Sequence, residues 1–278
     1  MRYRRRSSGL LAPEEGLSMP MLNLRGAERV DPASMGTLVG AKPPAAGEDF
    51  TLRASLQCYY KFENGADLGE DYKGNIALTN VNGVTQSATI PSGTYAAPTA
   101  IKSADFESAS SQYLSATHDA SVLIDDITAL TVVAWFNPES WAASSCIYLK
   151  SGFLSDGHGI YIVSTGTNPR GLFSGNDASR TQTFSAGTWY FICFTYSQTS
   201  DLMKVYTGTE SVQVTELGTS TSLVDATAST TYGFRIGCAS WAVAYLFDGL
   251  ICEPAWFTEE LSLAELQELQ QYGMDGSG

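Results

Sequence analysis

The sequence predicts an all-β, two-sheet antiparallel sandwich of the jelly-roll kind, with one short C-terminal helix and an extended N-terminal arm. Three observations predict it. Short runs rich in Val, Ile, Thr, Tyr, Phe and Trp recur from residue 54 onward, separated by Gly, Asn, Asp, Ser and Pro clusters. Two of those runs are almost continuously apolar. A single helical pattern closes the chain, and many strands followed by one terminal helix suit a sandwich or jelly roll.

The first 53 residues differ in character from the rest. They hold eight Lys/Arg against six Asp/Glu, five of the ten prolines, and only Tyr3 and Phe50 among 31 aromatic residues. So few rings cannot offset the entropy of ordering a chain, so residues 1–53 are expected to be an arm and 54–278 the folded body. Arg2, Arg4, Arg5 and Arg6 give the arm a basic tip, but no apolar stretch follows them, so it does not read as a secretory signal.

In the body, strands are expected over Leu56–Phe62, Ile101–Phe106, Leu130–Asn137, Cys146–Lys150, Gly159–Ser164 and Gly171–Phe173. Further strands are expected over Trp189–Tyr196, Leu202–Thr207, Ser211–Thr215, Tyr232–Gly237 and Leu246–Phe257. Leu130–Phe136 and Trp189–Tyr196 have apolar residues at both parities, which suits central strands covered on both faces. Ser262 and Glu265 form a capping box ahead of Leu263, Leu266 and Leu269 at helical spacing, and Gly273 supplies the stop.

Charge and cysteine usage exclude several function classes. Sixteen Lys/Arg against 29 Asp/Glu leave the chain at −13, and the body carries the whole excess. A nucleic-acid or anionic-membrane partner is therefore not expected for the body, since phosphate binding needs a basic surface. Apolar runs such as Trp241–Phe247 are too short to cross a bilayer. The five cysteines, Cys58, Cys146, Cys193, Cys238 and Cys252, are odd in number and show no CxxC spacing. Most sit in strand-like runs, which favours buried thiols made in a reducing compartment.

Chemistry-bearing motifs are sparse, and no catalytic residue is assigned. His118 and His158 both fall in Asp/Gly/Ser-rich stretches and read as solvated turn residues, with no Gly-x-Ser-x-Gly elbow nearby. Asp105 and Glu107 share one strand face, with Phe106 turned to the core between them. Both acids then stand in water, and a glycosidase pair needs one raised acid. The loop from Glu63 to Asn75 gathers hard oxygen donors of the kind calcium takes, with Asp71 and Asn75 as candidate ligands and Lys73 opposing a cation. Trp141 and Trp241 lie in loop-like segments, where a ring can stack on a sugar.

Five blocks stand in order along the body: Cys58-Tyr-Tyr-Lys-Phe-Glu-Asn-Gly with Asp71-Tyr-Lys-Gly-Asn75; Ala104-Asp-Phe-Glu-Ser with Ser111-Gln-Tyr-Leu; Leu130-Thr-Val-Val-Ala-Trp-Phe-Asn-Pro; Gly187-Thr-Trp-Tyr-Phe-Ile-Cys-Phe-Thr-Tyr; and Phe247-Asp-Gly-Leu-Ile-Cys-Glu-Pro-Ala-Trp-Phe with Leu261-Ser-Leu-Ala-Glu-Leu. Together they resemble laminin G-like domains of the concanavalin A-like lectin/glucanase jelly-roll superfamily. The resemblance implies a sandwich of about 200 residues that binds glycans or proteins, often with calcium, though fold alone does not deliver function. Its calcium site would draw on Asp71 to Asn75 and on an Asp at the position where Cys252 stands. A thiol is a poor calcium ligand, so no cofactor is expected, with calcium as the open alternative. Glycosidase relatives carry Glu-x-Asp-x-Glu or Glu-x-Asp-x-x-Glu on one strand, and neither string occurs here.

These observations lead to a non-enzymatic virion structural protein, a capsid decoration or tail-associated part. Its arm would anchor it to other virion or assembly proteins in many copies, and its body would be displayed outward and hold glycans or proteins. It would be made in a host cytoplasm and end on the virion surface. The alternative is an extracellular carbohydrate-binding or adhesion module of a bacterial envelope. A glycoside hydrolase ranks third.

Overall fold

Strand alternation explains the architecture of the computed structural model, which describes residues 47–117, 127–141, 144–152, 156–163, 165–174, 176–221 and 232–277. The larger sheet has β1 (Leu56–Tyr59), β3 (Thr85–Ser87), β4 (Ser103–Phe106), β6 (Ala129–Pro138), β11 (Tyr190–Ser197), β12 (Leu202–Thr209), β13 (Val212–Thr221) and β15 (Gly249–Phe257). Its order is β13-β12-β11-β6-β15-β4-β3, and β1 also pairs with β15. The second sheet has β2 (Thr79–Val81), β5 (Tyr113–Ala116), β7 (Ser144–Gly152), β8 (Asp156–Val163), β9 (Asn168–Phe173), β10 (Asn176–Ser179) and β14 (Phe234–Ile236). Its order is β10-β9-β8-β7-β14-β5-β2, and every pairing in both sheets is antiparallel.

The two apolar runs occupy adjacent strands, β6 and β11, and bury both parities. Leu130, Val132, Ala134 and Phe136 face the second sheet together with Tyr190, Ile192, Phe194 and Tyr196. Val133, Trp135, Phe191 and Cys193 face the other way, into a second core. That outer core is roofed by α1 (Leu263–Tyr272), which contributes Leu266 and Leu269. Both halves of the capping box form: the Glu265 amide donates to Ser262 Oγ, and the Ser262 amide donates to the Glu265 carboxylate. Buried Gln270 fixes the helix to the β12–β13 hairpin, donating to the Thr209 and Val212 carbonyls while accepting from the Val214 amide.

Several elements differ from the sequence-based expectation. The body begins before residue 54. Phe50 is fully buried in the outer core, and Arg53 is bound by Glu48, Glu259 and Glu265 at 2.6–2.8 Å. Strands β2, β3 and β10 are three or four residues long and mostly polar, and β5 has only four residues, which leaves no hydrophobic period to read. His158 is a correction. It lies in β8, fully buried between Tyr148 and Trp256, and burial next to Lys150 pushes its imidazole down to about 3. His118 lies outside the described residues.

The sheets approach closely where side chains are small. Gly171 in β9 faces the interior, and a Cβ there would lie 1.8 Å from Phe194 of β11. Phe173 stacks on Tyr196 beside it, with ring centroids 3.7 Å apart. Gly171→Ala is therefore expected to destabilise the fold by about 2–3 kcal/mol through overpacking, read as a drop in the urea midpoint at unchanged slope.

Candidate functional site

The loop that follows β1 is shaped by one carboxylate. Asp71 is buried, and its Oδ1 accepts from the amides of Tyr59 at 2.9 Å and Lys73 at 3.0 Å. Its Oδ2 accepts from the amides of Asn75 and Ile76, both at 2.9 Å. Four donors fill the roughly four lone-pair positions of a carboxylate. The Tyr72 amide donates to the Tyr59 carbonyl at 2.8 Å, and Asn75 Nδ2 donates to the Gln57 carbonyl at 2.7 Å. Gly69 closes the loop where no side chain fits, since a Cβ would lie 1.6 Å from the Leu78 carbonyl oxygen.

This donor set does not suit calcium. Every in-plane position of Asp71 is taken by an N–H, and Cys252, at the position of the family's acid, is a fully buried thiol. Among the described residues, no group of three or more His, Cys, Asp or Glu side chains is arranged to hold a metal. Asp71 and Asn75 are instead the staple of the loop.

Stapling turns the side chain next to Asp71 outward. Tyr72 is 56% exposed, and no other aromatic residue among those described is exposed to that degree. Its ring rests edge-on against buried Tyr59, with centroids 5.7 Å apart, and Lys61 Nζ lies 5.5 Å from its centroid. Around it a cleft of about 250 Å³ is lined by Lys61, Glu63, Asn64, Asp67 and Glu70. Glu63 lies 3.5 Å from Lys61 and accepts from the Ile101 amide. Asn64 donates to Glu70, and Asp67 accepts from the Gly69 amide. An apolar ring face beside acceptor-rich walls is what a sugar needs, because its C–H face stacks while its hydroxyls donate.

A larger cleft, of about 360 Å³, lies among Ile76, Thr79, Val81, Ser115, Lys150 and Phe234. It offers no aromatic platform, because Phe234 is 3% exposed and packs on Tyr60 and Tyr148. We therefore place the site at Tyr72.

The structure separates the residues that the sequence singled out. Trp141 is half-buried; its indole N–H donates to the Phe184 carbonyl at 2.8 Å, and its ring lies among Phe136, Phe184, Phe247 and Gly166. Trp241 is half-buried on the outer side of the second sheet, edge-on to Tyr245 and packed against the cluster of Cys146, Leu149, Tyr161 and Leu172. Neither tryptophan reaches the Tyr72 cleft. Arg2, Arg4, Arg5 and Arg6 lie outside the described residues. Phe106 points into the core as expected, but Asp105 is half-buried, and burial beside Asp248 pushes its carboxyl up. All five cysteines are buried free thiols.

A laminin G-type family model, described as the concanavalin A-like lectin/glucanases superfamily, matches residues 108–267, more than half of the chain. The chain belongs to this superfamily. No curated protein matches it. Among solved structures, domain 4 of the extracellular arabinanase AbnA from Geobacillus stearothermophilus, in complex with arabinotriose, is similar at a TM-score of 0.56 and 18% identity. That likeness covers 78% of this chain and 98% of the other. Botulinum neurotoxin type C, from work on cell entry through two ganglioside molecules, is similar at 0.51 and 12% identity. The binding domain of Paraclostridial Mosquitocidal Protein 1 is similar at 0.53 and 11%. Each of these two likenesses covers 78% of this chain, which spans about half of the toxin chain it matches.

At such identities these likenesses concern the fold. The Tyr72 cleft lies ahead of the matched residues 108–267, so no family role transfers to it.

Asp71→Ala is expected to leave four amides without an acceptor and to cost about 3 kcal/mol of stability. Calcium or a chelator is expected to leave the Tm of the native chain unchanged, as followed by calorimetry.

Proposed function

We propose that the chain is a carbohydrate-binding module that holds a neutral glycan at the Tyr72 cleft. The observation that carries this reading is the exposed Tyr72 ring, set by Asp71 into a recess with acceptor-rich walls. The complex of the similar arabinanase domain with arabinotriose supports it at the level of fold. Charge argues for the ligand class. Glu63, Asp67 and Glu70 outnumber Lys61 around the ring, on a chain of net charge −13. Carboxylated or sulfated sugars are repelled there, while neutral hydroxyls find acceptors.

Tyr72→Ala is expected to weaken binding of neutral oligosaccharides about tenfold or more, and Trp141→Ala and Trp241→Ala to leave it within about twofold where they fold. A glycan array followed by calorimetry on the hits checks this. Retained binding in Tyr72→Ala moves the site elsewhere.

For the setting of this module we propose display on a virion surface, with the part of the expected arm that precedes the body, residues 1–46, as anchor. Five buried free thiols support it, since they suit synthesis in a reducing cytoplasm, which a virion protein shares. An extracellular module of a bacterial envelope is the competing setting. Removal of residues 1–46 is expected to leave a folded glycan-binding body that no longer enters particles, and undiminished incorporation would count against the anchor.

A further inference from the structure

Beneath the Tyr72 cleft lies a carboxyl group that the binding site itself does not use. Glu253 is 2% exposed, and its backbone is left-handed, with φ +52°. It sits in a β-bulge of β15, where Glu253 and Pro254 together face one residue of β6 between the Cys252–Trp135 and Ala255–Val133 pairs. Its Oε1 accepts from the Tyr59 hydroxyl at 2.6 Å and from the Ala100 amide at 2.7 Å. Its Oε2 is buried without a hydrogen-bond partner.

Both partners lead to the cleft. Tyr59 is the ring on which Tyr72 leans, and its carbonyl holds the Tyr72 amide. Ala100 precedes Ile101, whose amide is held by Glu63 of the cleft wall. The groups facing Glu253 are Tyr59 from β1, Lys61 and Glu63 beyond it, Cys252 from β15, and the amides of Thr99 and Ala100. Asp275 reaches the same segment through the Thr99 hydroxyl.

We infer that neutral, protonated Glu253 is a positioning residue that latches Tyr59 and the 99–101 segment beneath the glycan cleft, and that its ionisation loosens both. The inference rests on the glycan reading for its biological meaning but not for its physical test. Burial pushes the Glu253 carboxyl up to about 7, against the opposing pull of the Tyr59 hydroxyl, the backbone amides and Lys61. An opened segment returns the acid to its ordinary value near 4.5. The closed form then holds the extra proton between those values. Opening is least favourable below about pH 4.5, rises roughly tenfold per pH unit up to about 7, and levels off above it.

The test is hydrogen exchange at the Ala100, Ile101 and Tyr72 amides from pH 5 to 8.5, corrected for intrinsic exchange, in the full chain. The native protein is expected to show local opening that climbs about 75-fold across this range and then plateaus, the part above pH 5 of the roughly 300-fold change that corresponds to the shift from 4.5 to about 7. Glu253→Gln is expected to flatten the profile. Tyr59→Phe, which removes a donor to the ionised form, is expected to move the plateau to higher pH and serves if Glu253→Gln does not fold. Arabinotriose, titrated calorimetrically in parallel, is expected to bind more weakly as opening increases. A flat native profile, or the same slope in Glu253→Gln, overturns the latch. An intact exchange profile with no sugar bound at any pH overturns the glycan reading and leaves the latch standing.

Discussion

The four amides gathered by Asp71 fix the end of β1 against the turn that follows it, and the geometry of the cleft depends on that bond set. A buried carboxylate is costly unless its lone pairs are satisfied. Here backbone donors from Tyr59, Lys73, Asn75 and Ile76 satisfy it. Because those donors come from both sides of the loop, the carboxylate determines where Tyr72 points. The same oxygens that a calcium ion would need are thereby spent, and a chemistry suggested by residue type becomes a structural one.

The rest of the sandwich supplies the rigid backing. Tyr59 belongs to the outer core with Trp135, Phe191 and Phe257, and α1 closes that core through Leu266 and Leu269. The next residue along, Tyr60, turns into the inner core, where it stacks near Phe62 and Phe234. The last residue of β1 and the residue after it thus anchor in different cores, which restrains the loop springing from them. A ring held this way loses little freedom when a ligand stacks on it, so less binding energy is spent on ordering.

Much of the fold was legible in the sequence, for identifiable reasons. Strands β6 and β11 carry apolar side chains at both parities, and Ser262 with Glu265 marks the helix start unambiguously. Short strands such as Thr79–Val81 and Asn176–Ser179 were not legible, because ladder hydrogen bonds make them while their side chains remain polar. The site was half legible. The loop from Glu63 to Asn75 stood out by its oxygens, but its use depends on which atoms the backbone reaches, and no residue pattern states that. Tyr72 escaped notice because aromatic residues in a sandwich are usually core; its exposure follows only once its neighbour is known to point inward. His158 misled in the opposite direction, since glycines around it suggested a turn where β8 runs through the interior.

The superfamily supplies a scaffold on which lectins and glucanases both occur, so the decision between binding surfaces rests with individual side chains. The most direct measurement is a nuclear magnetic resonance titration of the assigned chain with neutral oligosaccharides, following ring and amide signals. The account predicts that saturation transfer and shift changes centre on the Tyr72 ring and extend to Lys61, Asn64 and Asp67. Changes centred on Trp241 and Tyr245, with Tyr72 silent, would contradict it.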